Sequence, residues 1–211
     1  MSENNIWSNK NLVKVLNDGG VVVMPTDTLY GIVGKAESEE TVNRIYDLRK
    51  RAPNKPCIIL IADIGELKKF SIIISEKQKE VLEKYWLKNT EPLSVVLDCQ
   101  NEEFEYLHRG TNSLAFRLPT QIGLQNLLKE TGPLIAPSAN LEGLPPALNI
   151  TEAKKYFGPV RERPAEGSAS VTLGRPFSNG VDMYIDGGEI KGKASKVIRL
   201  KKDGSVEVLR D

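Results

Sequence analysis

The chain is predicted to fold as an α/β protein in which helices flank a mixed sheet. Three observations carry this. Apolar strand-like runs alternate with helix-period segments along most of the chain. The last two strand-like runs face each other across a KKDGS turn, which demands an antiparallel pair. The length of 211 residues suits a single domain with a sizeable core, taken here as residues 1–211.

The elements follow in order. Leu12, Val15 and Leu16 share one face of a helix over 8–18, which Gly19-Gly20 ends. Residues 21–24 (VVVM) are continuously apolar, as in a strand buried on both faces. Ser38 can cap a helix over 38–50 whose Val42, Ile45, Tyr46 and Leu48 face inward. CIILIA (57–62) reads as a second buried strand, and helical patterns at 63–70 and 75–86 precede PLSVVLD (92–98). SLAFRLP (113–119) alternates as a strand, 121–130 is helical, and PLIAPSAN (133–140) is a strand running into a loop. VDMYIDGG (181–188), SKVIRL (195–200) and SVEVLR (205–210) complete the pattern. Residues 158–180 are rich in Gly, Pro, Ser and charge and lack a sustained period, so they are expected to form an inserted mobile loop. Arg161, Arg163 and Arg175 suggest a lid over a phosphate ligand, against the plainer reading of a surface insertion.

Composition removes several function classes. Hydrophobic residues make up 40% and charged residues 27%, an ordinary globular balance. The net charge of +1 gives no global field toward nucleic acid or membrane, so any basic site is local. No apolar run is long enough to span a bilayer, and the N-terminus lacks a secretory layout. Cys57 and Cys99 sit in apolar stretches and read as reduced core residues of a cytoplasmic protein. His108 is the only histidine, which excludes Ser-His-Asp, Cys-His and zinc chemistry in their usual forms.

Four stretches could carry chemistry. PTDTLYG (25–31) places Thr26, Asp27, Thr28 and Tyr30 together at the end of a buried strand. Asp27 there either orients a substrate amine or stabilises a turn. LRKRAPNKP (48–56) gathers Arg49, Lys50, Arg51 and Lys55, either as a solvated helix end or as a polyphosphate or carboxylate site stiffened by Pro53 and Pro56. APSANLEGLPPA (136–147) sets Ser138 and Asn140 among small residues, suited to a tight turn or to close approach by a ligand. Arg117, inside an apolar strand, needs an anion, from the protein or from a ligand.

Taken in order, PTDTLYG, RKR-x-x-x-KP, YW with PLSVVL, RLP, APSAN-x-x-G, VDMYIDGG and the S-x-V strand resemble the YrdC family, over roughly residues 8 to 210. That resemblance implies a twisted mixed sheet flanked by helices with a concave, positively charged face, in a single-domain form that ends at Asp211 without the family's optional C-terminal domain. It implies a threonylcarbamoyl-AMP synthase, a nucleotidyltransferase that joins L-threonine, bicarbonate and ATP and releases pyrophosphate, with Mg²⁺ accompanying ATP. A partner threonylcarbamoyl transferase machinery would then modify adenosine 37 of tRNA.

Carried over residue by residue, the family's K-x-R…S-x-N signature falls on Arg49, Arg51, Ser138 and Asn140, with arginine at the lysine position. Arg49, Arg51 and Lys55 are then expected on the phosphates. Thr28, Tyr30, Arg117 and Ser195 are expected at the threonine end, and Lys55, Ser113, Asn140 and Arg210 at the nucleotide. No dedicated metal ligands are implied. Competing readings are an RNA-binding module of the same fold, a paralogue that hydrolyses the adenylate, and a related carbamoyl transferase.

Overall fold

A computed structural model describes residues 6–88, 91–160 and 180–211. Among these residues the strands are β1 Val22–Pro25, β2 Tyr30–Lys35, β3 Ile58–Leu60, β4 Leu93–Asp98, β5 Ser113–Arg117, β6 Leu134–Ile135, β7 Met183–Tyr184, β8 Lys196–Leu200 and β9 Val206–Arg210. The α-helices are α1 Lys10–Asn17, α2 Glu39–Arg49, α3 Glu76–Leu82, α4 Glu105–His108, α5 Ile122–Thr131 and α6 Ile150–Phe157. The strands form one sheet in the order β7-β1-β2-β6-β3-β5-β4-β8-β9. β3 runs parallel to β5 and β4 to β8, whereas β4 and β5 are antiparallel, so the sheet is mixed. As the KKDGS turn requires, β8 and β9 are antiparallel.

The two faces of this sheet differ, and that difference creates the site. One face carries Val23, Ile32, Ile59, Val95, Phe116 and Ile198, which join the side chains of α2, α3 and α6 in the larger core. The opposite face carries Val22, Met24, Val33, Leu60 and Leu134 at one end, where Leu12 and Leu16 of α1 and Leu124, Leu127 and Leu128 of α5 cover them. Farther along that face, β5, β4 and β8 present Ala115, Val96 and Val197, and no helix among the described residues packs over them. The uncovered half is a concavity.

Local caps match the sequence signals. Ser38 accepts from the Thr41 backbone N–H at the start of α2, and the helix ends at Lys50 in the left-handed region (φ 50°). α1 is capped by Asn9, which accepts from the Asn11 and Leu12 amides. Where α2 crosses β2, a Cβ on Gly34 would lie 2.4 Å from Thr41 Cγ2 and 3.2 Å from Ile45 Cδ1. We expect Gly34→Ala to push α2 off the sheet and cost about 1–3 kcal/mol of stability, measured by urea denaturation.

Several expectations are corrected. Residues 26–29 do not end an isolated strand but turn the chain into β2, whose Ile32 and Val33 are buried and pair with Val23 and Val22. The segments 133–140 and 181–188 each contribute only two strand residues. The helical pattern at 63–70 is a 3-10 helix over Ile64–Phe70, and that at 75–86 ends at Leu82 and continues as a π turn over Glu83–Leu87. Helix α6 had not been anticipated, because its eight residues follow a loop of turn formers. The expected lid, with Arg161, Arg163 and Arg175, lies outside the described residues. No described helix is long and apolar enough to cross a membrane. Cys57 and Cys99 are free and buried.

Candidate active site

The concavity holds a cavity of about 530 Å³. Strand alternation supplies its floor, since Ser113, Ala115 and Arg117 point to one side of β5 and stand level with Asp98, Val96 and Ser94 of β4. β8 continues these rows, with Val197 beside Ser94 and Arg199 beside Val96. Arg51, Arg117, Arg199 and Arg210 line the cavity, and among the described residues no carboxylate does. A chain of net charge +1 thereby concentrates positive potential in one place.

At one end stands the 26–29 turn. The Thr26 hydroxyl donates to Leu29 O (2.7 Å), and Thr26 Oγ1 accepts from the Thr28 and Leu29 amides (3.3 Å each). With its proton so committed, Thr26 accepts from the Thr28 hydroxyl at 3.2 Å. Thr28 therefore faces the cavity with lone pairs available, suited to a substrate ammonium or hydroxyl.

Asp27 is committed to an ion pair. Its Oδ1 accepts from Arg117 Nη2 at 2.8 Å, with the two side chains 0% and 4% exposed. Burial lowers the Arg117 pKa and the Asp27 carboxylate draws it back. The lone strand arginine thus obtains its anion from the protein while still lining the cavity. A guanidinium has five N–H donors, and this ion pair engages one nitrogen.

The 136–140 loop runs beside β2, with Ile32 N–H donating to Pro137 O and Ala139 N–H to Tyr30 O. Ser138 lines the cavity and donates to Asn140 Oδ1 at 2.6 Å. Arg49 lies behind this loop rather than at the cavity wall. Only 2% exposed, it donates through Nε to Asn140 O (3.1 Å) and through Nη2 to Asn140 Oδ1 (3.0 Å) and Ser138 Oγ (3.4 Å). Burial, followed by repulsion from Arg51, lowers its pKa. Asn140 is also set back, its amide donating to Leu141 O and Leu144 O.

The cations expected to act together on phosphates therefore separate. Arg51 lines the cavity and is braced by Lys55 O (2.9 Å) and Pro56 O (3.0 Å). Lys55 is 59% exposed and pairs with Glu142, whose carboxylate also accepts from the Ala52 amide. The hydrogen bond from Lys55, then that from Ala52, holds the Glu142 pKa below its ordinary value. Glu142 so ties the basic loop to the loop after Asn140.

Tyr30 borders the cavity, but its hydroxyl turns away, donating to Gly188 O (2.8 Å) and accepting from Gly187 N (2.9 Å). Burial is the main cause of its raised pKa. Ser195 shares a hydrogen bond with Ser94 (2.8 Å), and its carbonyl accepts two bonds from Arg210. Ser113 donates to Thr111 Oγ1 at 3.3 Å, and Thr111 donates to His108 O at 2.6 Å. Sequence reasoning missed Thr111 and Arg199, both of which line the cavity. Alternation along SKVIRL places Arg199 on the face of Val197 and could have revealed it, whereas Thr111 lies in a loop that gives no such signal.

Known proteins share this fold. The Sua5/YciO/YrdC family model, described as "Telomere recombination", matches residues 14–163. A curated "Threonylcarbamoyl-AMP synthase" of Bacillus subtilis is 32% identical over 133 residues, covering 62% of this chain and 38% of that protein. One from Pyrococcus abyssi is 28% identical over 197 residues, covering 92% of this chain and 51% of that protein. The chain thus spans between about a third and about a half of the length of these two relatives. The crystal structure of P. abyssi Sua5 complexed with L-threonine superposes with a TM-score of 0.76 at 25% identity, covering 97% of this chain and 54% of that one. With the family model matching most of its length, and its fold shared with Sua5, the chain belongs to the Sua5/YciO/YrdC family.

Proposed function

We propose that this protein is a threonylcarbamoyl-AMP synthase that uses L-threonine, bicarbonate and ATP. The observation that carries this is the polarity of the cavity. Thr28 and Arg117 suit an amino acid, Arg51 and Ser113 offer a cation and a hydroxyl to a nucleotide, and Arg210, which shares the Arg117 row through Ser94 and Val197, adds a second cation there, with no lining carboxylate among the described residues. The names of the curated relatives, and the threonine held by the P. abyssi structure, support the same substrates.

The chemistry suits such a wall. Threonine's amine and bicarbonate give a carbamate with loss of water. A carbamate oxygen attacks the α-phosphorus of ATP, and the bond to the bridging oxygen breaks to release pyrophosphate. Negative charge accumulates on phosphate oxygens, so positioned cations stabilise the reaction without an acid–base pair. Arg117 receives the threonine carboxylate, Thr28 its amine or hydroxyl, and Ser138 the forming adenylate. Behind them, Arg49 and Asn140 hold Ser138 in place, and Asp27 holds Arg117.

Mg²⁺ would arrive with ATP. Among the described residues no group of three or more His, Cys, Asp or Glu side chains could hold a metal, so the fit is to an ion carried by phosphates and water. There it would neutralise charge on the departing pyrophosphate. We place the reaction in the cytoplasm, where buried free Cys57 and Cys99 stay reduced. A partner transferase would carry the product to adenosine 37 of tRNA.

Incubation with labelled bicarbonate, threonine and ATP should yield labelled adenylate and pyrophosphate. Formation of neither would sink the proposal, and salt-dependent RNA binding without ATP consumption would instead mark an RNA-binding module. Thr28→Ala is expected to raise the KM for threonine roughly tenfold, the consequence of one lost hydrogen bond, with little change in that for ATP.

A further inference from the structure

Arg199 stands in the cavity without an assigned role. It belongs to a row that crosses the sheet, in which Ile58 of β3 pairs with Ala115 of β5, Ala115 with Val96 of β4, and Val96 with Arg199 of β8. The middle of this row is low and apolar, with a cation at one end. At the other end, the chain entering Ile58 is the basic loop that carries Arg51. With three interstrand steps between β3 and β8, the two backbones lie ~14 Å apart, and both arginines line the space between.

The attachments of the cavity arginines differ. Arg117 is held by buried Asp27, Arg210 by the Ser195 carbonyl, and Arg51 by two carbonyls of its own loop. Among the described residues the ion-pair partner of Arg199 is Asp98 at 3.6 Å, too long for a good hydrogen bond, with side chains 36% and 54% exposed. A pair this exposed contributes little and yields readily to a stronger anion. Its charge is open to a ligand.

Position suggests which ligand. Arg117 pairs with Ser94 in the next row, two residues along the strands and ~6.6 Å from the Ala115 row. If the amino acid occupies the Arg117 row, the carbamate attacks from that side. In-line displacement then sends the leaving group away from Arg117, toward the row that ends in Arg199.

We infer that Arg199 binds the outer phosphates of the nucleotide and the pyrophosphate they become, opposite Arg51. This rests on the synthase reading for the direction of transfer, but its test reads phosphate binding directly.

Calorimetric titration of the intact protein with inorganic pyrophosphate, and separately with AMP, tests the assignment. Arg199→Gln should weaken pyrophosphate roughly tenfold, the effect of losing a charged contact, and leave AMP and the KM for threonine unchanged. Arg199→Lys should recover part of the loss, and Asp98→Asn, by releasing the arginine, should tighten pyrophosphate. Unaltered pyrophosphate affinity in Arg199→Gln, or an equal loss for AMP, would overturn the inference. Pyrophosphate binding that depends on Arg199 in a protein that forms no adenylate would uphold this site and refute the synthase reading. Adenylate formation with pyrophosphate affinity indifferent to Arg199 would do the reverse.

Discussion

Asp27→Ala is expected to destabilise the protein by about 3–5 kcal/mol, because it leaves the Arg117 guanidinium buried without its anion. The cost comes from the stranded charge rather than from the lost attraction. Arg117 Nε already lacks a partner in the folded chain, so local rearrangement has little with which to compensate. The double replacement Asp27→Asn with Arg117→Met removes both charges and should regain most of the stability, as measured by urea denaturation. It should nonetheless make no adenylate, because the cation proposed to receive the threonine carboxylate is gone. A double variant as unstable as Asp27→Ala would show that the pair is not the source of the effect.

Arg49→Ala should cost about 3 kcal/mol and lower pyrophosphate release on the order of a hundredfold. Three acceptors, the buried Asn140 O and Asn140 Oδ1 and the part-buried Ser138 Oγ, lose a charged donor together. Ser138 would then lose its fixed orientation at the cavity wall, and small misplacements of a positioning group are costly in rate. Arg49→Lys keeps the charge but offers a point donor in place of a planar fork, so intermediate stability and activity are expected. Melting temperature and pyrophosphate release, measured on the same preparations, separate the two contributions. Full activity in Arg49→Ala would show that the Ser138 loop holds itself.

Much of the fold was legible because local patterns and global packing agree. The runs at 57–62, 92–98 and 113–119 became central strands, and Ser38 capped the helix it was expected to cap. β2 escaped notice because YGIVGK carries two glycines and follows a polar turn, so its burial arises from α2 and β1 rather than from its own periodicity. The π turn over Glu83–Leu87 continues a helical pattern with different hydrogen bonding, which periodicity cannot distinguish.

By itself the sequence determined the family resemblance, the alternating architecture and the identity of the polar groups available: hydroxyls at 26 and 28, arginines at 49, 51, 117 and 210, and the Ser138–Asn140 loop. Only the tertiary structure decided which of them face the ligand space. Arg49 and Arg51 are two residues apart, yet one is locked behind the 136–140 loop and the other lines the cavity. Asp27 and Arg117 are 90 residues apart and form one buried pair. The physical reason is that a charged side chain settles where its desolvation is best compensated, and the compensating partner comes from distant segments brought together by sheet register.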